Sequence, residues 1–515
     1  MTPTSPSKVY ERRWKTLAVL ALSLLIIGLD NTILNVALPS LQKEFDASSS
    51  TLQWIVDSYL LVFAGLLLTM GTLGDRFGRK LALQCGLVLF GGASLAVLVV
   101  QTSDQLIAVR AAMGVGGALI MPATLSIISN VFPKEERGKA IGIWAGMASV
   151  GIGLGPLFGG LLLEYFDWSS VFLVNVPVAF GALLLGIWLV PESRDPKPGA
   201  FDVPGAALSV AALTALVYPI IEAPERGWTD GRILACFGAA IVLGALFVKR
   251  ELSTPEPMLN LSFLRNPRFG IASMGISLAS FSLFGSIFAM TQYLQDAHGY
   301  SALEAGAAMS PMALGLVFGS VSSVKLVERV GTAKVIVAGL LGMAAMLSTS
   351  LLWTPDMAYL PLAGWFVASA VAMGWVMGPG TGSVMGSVPA EKSGVASAMN
   401  DVTRQVGGSL GTAVIGSLIS SVYASRIADT ASTLPADAQH AVKDSIGMAN
   451  TVASQLPAEQ GAKVTEAAAS AFTEALGIGF GVAAACALVA AVVVKLKLPD
   501  ARTAAPAAVP EPVAA

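Results

Sequence analysis

The chain has 515 residues, of which 54% are Ala, Val, Ile, Leu, Met, Phe, Trp, Tyr or Cys and only 12% are charged, with a mean hydropathy of +0.71. A water-soluble domain carries roughly 25% charged residues, so there is too little polar surface here to cover a soluble globule of this size. The net charge of −2 decides nothing by itself, because what matters in a membrane protein is where the charges sit, and no nucleic-acid partner is expected.

Apolar runs of about 20 residues, the length that spans a ~30 Å hydrocarbon core, recur along the whole sequence. In chain order they are 15–38, 54–73, 81–100, 105–129, 139–163 and 169–190, then 203–221 and 233–249, then 269–293, 304–326, 333–352, 358–385, 394–421 and 475–494. The first follows a basic stretch but is too long for a signal-peptide core and lacks a small-residue cleavage site, so it reads as a retained anchor. Fourteen spans place both termini on one side. With that side cytoplasmic, 23 of the 31 Lys and Arg residues fall on or beside cytoplasmic segments and 6 on external ones, Arg110 and Arg404 lying within spans. Basic residues favour the cytoplasmic side, and a single missed span would spoil the bias. The expected location is therefore the cytoplasmic membrane.

The connections are short except 422–474, which is Ala-rich, polar, external by the count and expected to be helical in two pieces around Pro457. The Ala/Pro-rich tail from Pro499 reads as disordered. Cys85, Cys236 and Cys486 each lie alone in an apolar run, and His298 and His440 fall in polar connections, so neither a metal site nor a disulfide framework is implied. No G-x-x-x-x-G-K-[ST] loop for ATP is present. Gly151, Gly153 and Gly155 lie inside an apolar run ahead of Pro156 and do not make a nucleotide loop. No nucleophile–base pair suggests an enzyme. If protons are used, carboxylates must carry them.

The chain repeats itself. Asp75-Arg76-x-Gly78 after the second span aligns with Glu328-Arg329-x-Gly331 after the tenth. This spacing divides the chain into an N-terminal segment 1–14, a six-helix half 15–190, an inserted pair of helices 191–250, a second half 251–494 that includes the 422–474 loop, and a tail 495–515. Repeated membrane halves mark alternating-access transporters, whose substrate site lies near the midplane between halves.

Five ionisable residues sit inside spans: Asp30, Asp57, Arg110, Asp401 and Arg404. Each costs roughly 2.5–3.5 kcal/mol on insertion scales, which makes function the default hypothesis. A carboxyl in a low-dielectric cavity can load and release a proton near working pH, and a lipophilic cation can compete for the same charge. Asp30 is the leading candidate for proton coupling, against a capping or packing role beside Asn31 and Asn35. Asp57, near Trp54 and Tyr59, is either a coupling and substrate acid or an interfacial residue. Arg110 has no acid within a turn of its own helix, so its partner comes from another helix or from backbone, and a structural pair with Asp30 is compatible with function. Asp401 and Arg404 stand at i and i+3 and either neutralise each other or leave Asp401 to contact a cationic substrate. Phe281, Phe284 and Phe288, with Tyr293 beyond, form a stripe that suits either packing or an organic cation.

Small residues leave bare helix faces. Gly151, Gly155, Gly159 and Gly160 around Pro156, and Gly407, Gly408 and Gly411 in the thirteenth span, allow close helix approach. They are expected to meet their neighbours across the interface between halves.

Gly71-Thr-Leu-Gly-Asp75-Arg76-Phe-Gly78-Arg79-Lys80 resembles the loop motif of the major facilitator superfamily. Leu106-x-x-x-Arg110-x-x-Met113-Gly114-x-Gly116-Gly117-Ala118 resembles its fourth-helix motif, with Met113 where Gln is usual. Gly151 to Gly160 resembles the fifth-helix signature of the antiporter branch, and Leu29-Asp30-Asn31-Thr32 through Pro39 resembles the first-helix motif of fourteen-spanner drug/proton antiporters. The resemblance implies an all-α major facilitator fold and proton-driven export of drugs, dyes, antiseptics or antibiotics. No cofactor, the bilayer, small lipophilic substrates and protons as partners, and a monomer are expected with it. It also implies that Arg110 takes part in proton transfer, that Asp57 recognises quaternary ammonium compounds, and that Gly71, Asp75, Arg76, Gly78 and Arg79, with Glu328 and Arg329, act as a conformational latch. The other readings are a narrow exporter of one natural product, an uptake symporter, which the Gly/Pro pattern disfavours, and a non-transporting sensor.

Overall fold

A backbone in hydrocarbon has to satisfy its own N–H and C=O groups, and a helix does so within one segment. The computed structural model describes residues 6–194, 202–254, 257, 261–388 and 393–499, and no strand occurs among them. Its helices are α1 (Pro6–Phe45), α2 (Ser49–Phe77), α3 (Arg79–Ala96), α4 (Ser103–Val131), α5 (Lys134–Tyr165), α6 (Ser170–Leu173), α7 (Asn175–Leu189), α8 (Val203–Arg226) and α9 (Gly231–Ser253). The second series is α10 (Pro267–Gln292), α11 (Ala302–Met309), α12 (Pro311–Val330), α13 (Thr332–Thr349), α14 (Tyr359–Gly386), α15 (Ser393–Ser432), α16 (Ala436–Asp444), α17 (Ile446–Gln455) and α18 (Ala458–Lys497). Fourteen stretches are long and apolar enough to cross a membrane, with α6–α7 and α11–α12 each making one broken span. The second break falls at Pro311, which has no N–H to continue the ladder.

Two boundaries differ from the sequence reading. Pro457 does separate two helices, α17 and α18, but the second begins at Ala458 and runs unbroken into the last span rather than starting it near 475, while α15 runs on to Ser432. What remains of the long connection is a compact α16–α17 hairpin. The tail from residue 500 and residues 1–5 lie outside the described residues.

The sequence repeat is a structural repeat. In the first half α1 packs along α5, α2 along α4 and α3 along α4; in the second, α10 packs along α15, α12 along α14 and α13 along α14. The aligned loop glycines adopt the same conformation, Gly78 at φ +127° and Gly331 at φ +95°, and each donates its N–H to the carbonyl four residues back. That region of φ strains any side chain, which explains the glycines.

The halves meet along two seams, α2 against α15 and α5 against α11–α12. The inserted α8 lies on α2 and α15, and α9 packs mainly on α8. At the end far from the termini the halves are tied by hydrogen bonds: Gln42 Nε2 to Ser445 Oγ at 2.6 Å, Ser49 N to Asp444 Oδ2 at 3.3 Å, Ser49 Oγ to the Asp444 carbonyl at 2.9 Å, and Gln295 Nε2 to the Val36 carbonyl at 2.9 Å. Toward the terminus end α5 leaves its partner: a side chain at Gly153 would meet Ala313, but one at Gly146 or Gly142 would meet nothing within 4 Å. The halves are closed at the far end and splayed at the other.

Candidate functional site

The first half is organised around one buried guanidinium. Arg110, on α4, is 1% exposed and donates Nη1 to Asp30 Oδ2 of α1 at 2.6 Å, while its Nε donates to the Ile55 carbonyl of α2 at 3.2 Å. The Tyr59 ring of α2 lies under the guanidinium, 4.5 Å from its carbon. Asp30, equally buried, also accepts from Asn175 Nδ2 of α7 at 3.2 Å. Four helices therefore converge on one ion pair. A short charge-assisted bond with further donors is the arrangement in which a buried pair is tolerated, and removing one member leaves the other uncompensated. The partner of Arg110 is thus Asp30, together with backbone and a π face. Asn175 was not singled out from sequence, although a lone Asn in an apolar run was a visible signal.

Pro156 explains the helix beside this pair. It cannot donate to the Ile152 carbonyl, and Thr32 Oγ1 of α1 fills the gap at 2.9 Å. A side chain at Gly155 would collide with that same hydroxyl, and side chains at Gly151 and Gly159 would collide with α1 backbone at Leu25, Leu29 and Ile33. This corrects the expectation that these faces cross the interface. The Gly151, Gly155 and Gly159 face packs on α1 within the first half, and Gly407 and Gly411 pack on the Ser277 and Phe281 carbonyls of α10 within the second. Glycines four apart share one face, and that face is taken by the neighbour in the same bundle. The interface itself uses Gly153 against Ala313, Gly160 against Ala302 and Leu303, and Gly306 against the Pro156 carbonyl.

Asp57 is placed differently from Asp30. It is 0% exposed on the α2–α15 seam, where the Ser409 hydroxyl faces its carboxylate and no cation stands beside it among the described residues. Asp401 and Arg404, on α15, pair at 3.3 Å, with Asp401 buried and Val402 packed against the first half's core. Asp401 is therefore neutralised by its neighbour, on a helix that packs against α2 of the first half.

The aromatic stripe is divided. Phe281 belongs to the core of the second half and Phe284 lies on the surface that Gly408 leaves bare. Phe288 reaches the core of the first half. Tyr293 turns away, donating its hydroxyl to the Thr354 carbonyl at 2.7 Å among Trp353 and His298.

At the terminus end, Gly71 packs on Pro122 of α4, and Arg79 Nε bonds Asp75 Oδ1 at 2.7 Å while the Arg79 N–H donates to the Ser193 carbonyl at 2.8 Å. The Glu192 carboxylate stands over Gly78, and Arg76 is exposed with Phe77 beneath it. Glu328 and Arg329 are exposed. In this conformer the motif ties α2 and α3 to the segment after α7, within one half.

Residues 20–412 match the family model of the Major Facilitator Superfamily. The chain is 37% identical over 496 residues to the multidrug efflux pump LfrA of Mycolicibacterium smegmatis, covering 95% of this chain and 97% of that one. It is 34% identical over 501 residues to the tetracenomycin C resistance and export protein of Streptomyces glaucescens, covering 95% and 92% of the two chains. It is also 34% identical over 473 residues to the methyl viologen resistance protein SmvA of Salmonella typhimurium, covering 90% and 93%. The structure resembles that of a bacterial homolog of the human lysosomal transporter Spinster in an inward-facing, unoccupied conformation, with a TM-score of 0.66 at 20% identity over 94% of this chain and 98% of that one.

Proposed function

Because the chain belongs to the major facilitator superfamily, we propose that it exports amphipathic, cationic small molecules in exchange for protons by alternating access. The observation that carries this reading is the Asp30–Arg110 pair, a fully buried charge site in a membrane-spanning bundle. A proton on Asp30 removes the counter-charge of Arg110. The guanidinium then keeps only the Ile55 carbonyl and the Tyr59 ring, and the packing of α1, α2, α4 and α7 has to answer. Proton occupancy is thereby converted into a preference between two arrangements of the halves, as a coupled exchanger requires.

Asp57 and Asp401 are the acids available to a cationic substrate near the interface, with Phe281, Phe284 and Phe288 supplying apolar surface once the halves part. The closed α2–α15 seam offers the Asp57 charge no cation and only the Ser409 hydroxyl, so closing that seam favours a compensated carboxylate. The Lys and Arg distribution supports cytoplasmic termini, which makes the far end external and the splayed end open to the cytoplasm. The Asp75–Arg79 motif then acts as the inner latch, Gly160 and Gly306 seal the external end, and one chain suffices. The names of the relatives support drug or antibiotic export, broad or narrow.

The test is transport in proteoliposomes holding a trapped pH dye under an imposed pH gradient, with ethidium or a quaternary ammonium compound added. Substrate-driven proton movement that disappears in Asp30→Asn supports antiport. Accumulation together with the proton would turn the reading into uptake, and flux of a single natural product from a broad panel would narrow it to a dedicated exporter.

A further inference from the structure

Beyond the Asp30 site, the α2–α15 seam holds a row of polar side chains that ends on Asp57. Asp57, Gln53 and Ser49 stand four residues apart on one face of α2, about 6 Å per step. Across the seam, Ser409 faces Asp57 and Gly416 lies under the Gln53 amide, where a Cβ would come within 2.9 Å of it. Gln53 is 1% exposed and its Oε1 has no hydrogen-bond partner, while Asp57 has only Ser409 facing it. Beyond Gln53 the row opens into a cavity of about 20 Å³ bordered by Ser49, Gln53, Gln292, Ser420, Asp444 and Ser445. That volume suits one water molecule, which needs two or more polar partners. At its external edge Asp444, on α16, accepts from the Ser49 N–H.

Unpartnered polar atoms in an apolar seam destabilise it unless something visits them. Apolar residues on both helices would seal an interface better. The row leads from the external face to Asp57, a buried acid with no cation beside it.

We propose that this row is a proton path, entered apart from the substrate, running from Asp444 through a water held on Gln53 to Asp57, where proton and cationic substrate compete for one carboxylate. It deepens the antiport reading and rests on it. A hydronium at the surface gives its proton to the Asp444 carboxylate and leaves as water. Asp444 passes the proton to the cavity water and returns to carboxylate. The cavity water releases a proton through a second water to the Asp57 carboxylate, and only O–H bonds form and break. Gln53 holds the water by accepting from it and takes no proton itself. The α16–α17 hairpin meanwhile keeps the external end closed to anything larger. Asp444 suits the entrance. Burial first, then Glu225 at the end of α8, push its carboxyl up to about 6, against the Ser49 N–H, His440 and Ser445. Tyr423 of α15, also near it, spends its hydroxyl on the Val442 carbonyl.

The test compares two fluxes in the same proteoliposomes: substrate-driven proton movement, and counterflow of labelled against unlabelled ethidium, which needs no net proton transfer. Gln53→Leu removes the water's acceptor, and Asp444→Asn keeps an acceptor for Ser49 while ending proton exchange there. Each variant is expected to slow proton movement by about 100-fold, the low end of what a placed proton-transfer group contributes, with counterflow at the wild-type rate. That intact counterflow also shows that the variants are folded. Wild-type proton movement in both variants overturns the path. No substrate-driven proton movement in the unaltered protein overturns instead the antiport reading on which the path rests.

Discussion

At the centre of the first half, Asp30 follows Leu29, whose carbonyl packs on Gly155; at the matched place in the second half, Ser282 follows Phe281, whose carbonyl packs on Gly411. Asp30 meets Arg110 and Asn175, whereas Ser282 donates to the Leu278 carbonyl of its own helix and faces a cavity of about 30 Å³ lined by Met290, Met312, Met343, Trp365 and Phe366. The same helix crossing thus holds a buried, hydrogen-bonded charge cluster in one copy and polarizable, uncharged side chains in the other. Methionine adapts its shape to irregular space, while an ion pair with fixed donors does not. The comparison teaches that the repeat conserves backbone approach and leaves chemistry free, so one half can hold the switch while the other yields.

The largest effect should come from crossing that divide. Asp30→Asn should abolish substrate-driven proton movement, a loss on the order of 100-fold for a proton-transfer group, while Ser282→Ala should leave it unchanged in the same dye assay. An equal loss in both would mean that the second half carries charge coupling by another route.

The glycines sharpen the contrast between packing within a half and sealing between halves. Gly155→Leu should collapse the α1–α5 contact and leave little folded protein in detergent chromatography, since its side chain has only Thr32 and α1 backbone to enter. Gly160→Ala, which presses on the Ala302 carbonyl between halves, should fold and instead leak protons without substrate. A tight Gly160→Ala protein would assign the seal to the α2–α15 seam alone.

A smaller, pH-dependent effect belongs to the hairpin. With the Asp444 carboxyl raised to about 6, its contribution to the closed end is full below the ordinary carboxylate value of about 4 and is lost as pH rises through about 6. Amide exchange at 445–450 should therefore quicken over that window, and Asp444→Asn should flatten the response.

The smallest effect concerns the inserted pair. Burial opposes the charge on Asp202, but Arg250 at 2.8 Å and the Gly205 N–H at 3.0 Å outweigh it and hold the carboxyl below its usual range. Its contribution is thus full above about pH 4 and fades only as pH falls further. Asp202→Asn should loosen α8–α9, read by proteolysis near 202, without changing transport.

Much of this was legible beforehand, for definite reasons. Hydrocarbon demands a run of a certain length, so fourteen spans could be counted from composition, and Gly78 and Gly331 showed where two copies of one turn lay. A charge inside a span is conspicuous, so Asp30 and Arg110 stood out, and only their mutual contact required coordinates. Periodicity says which residues share a face but not which helix covers it. For that reason Gly151, Gly155 and Gly159 were assigned to the wrong neighbour, while Gly160 meets the other half as expected, with Gly153 seven residues before it. Pro457 separates two helices as its position in the sequence implied, but the sequence did not say that the second runs unbroken into the last span.

The α16–α17 hairpin has a practical side. It is short, helical and pinned to the α1–α2 turn by Gln42 and Ser49, and on the proposed orientation it stands outside the cell. An antibody fragment or peptide that clasps the hairpin and that turn together would hold the external end shut. It would arrest the pump without crossing the envelope, resembling the cargo or competing with it, and so would be neither a substrate for efflux nor dependent on which drug is being expelled.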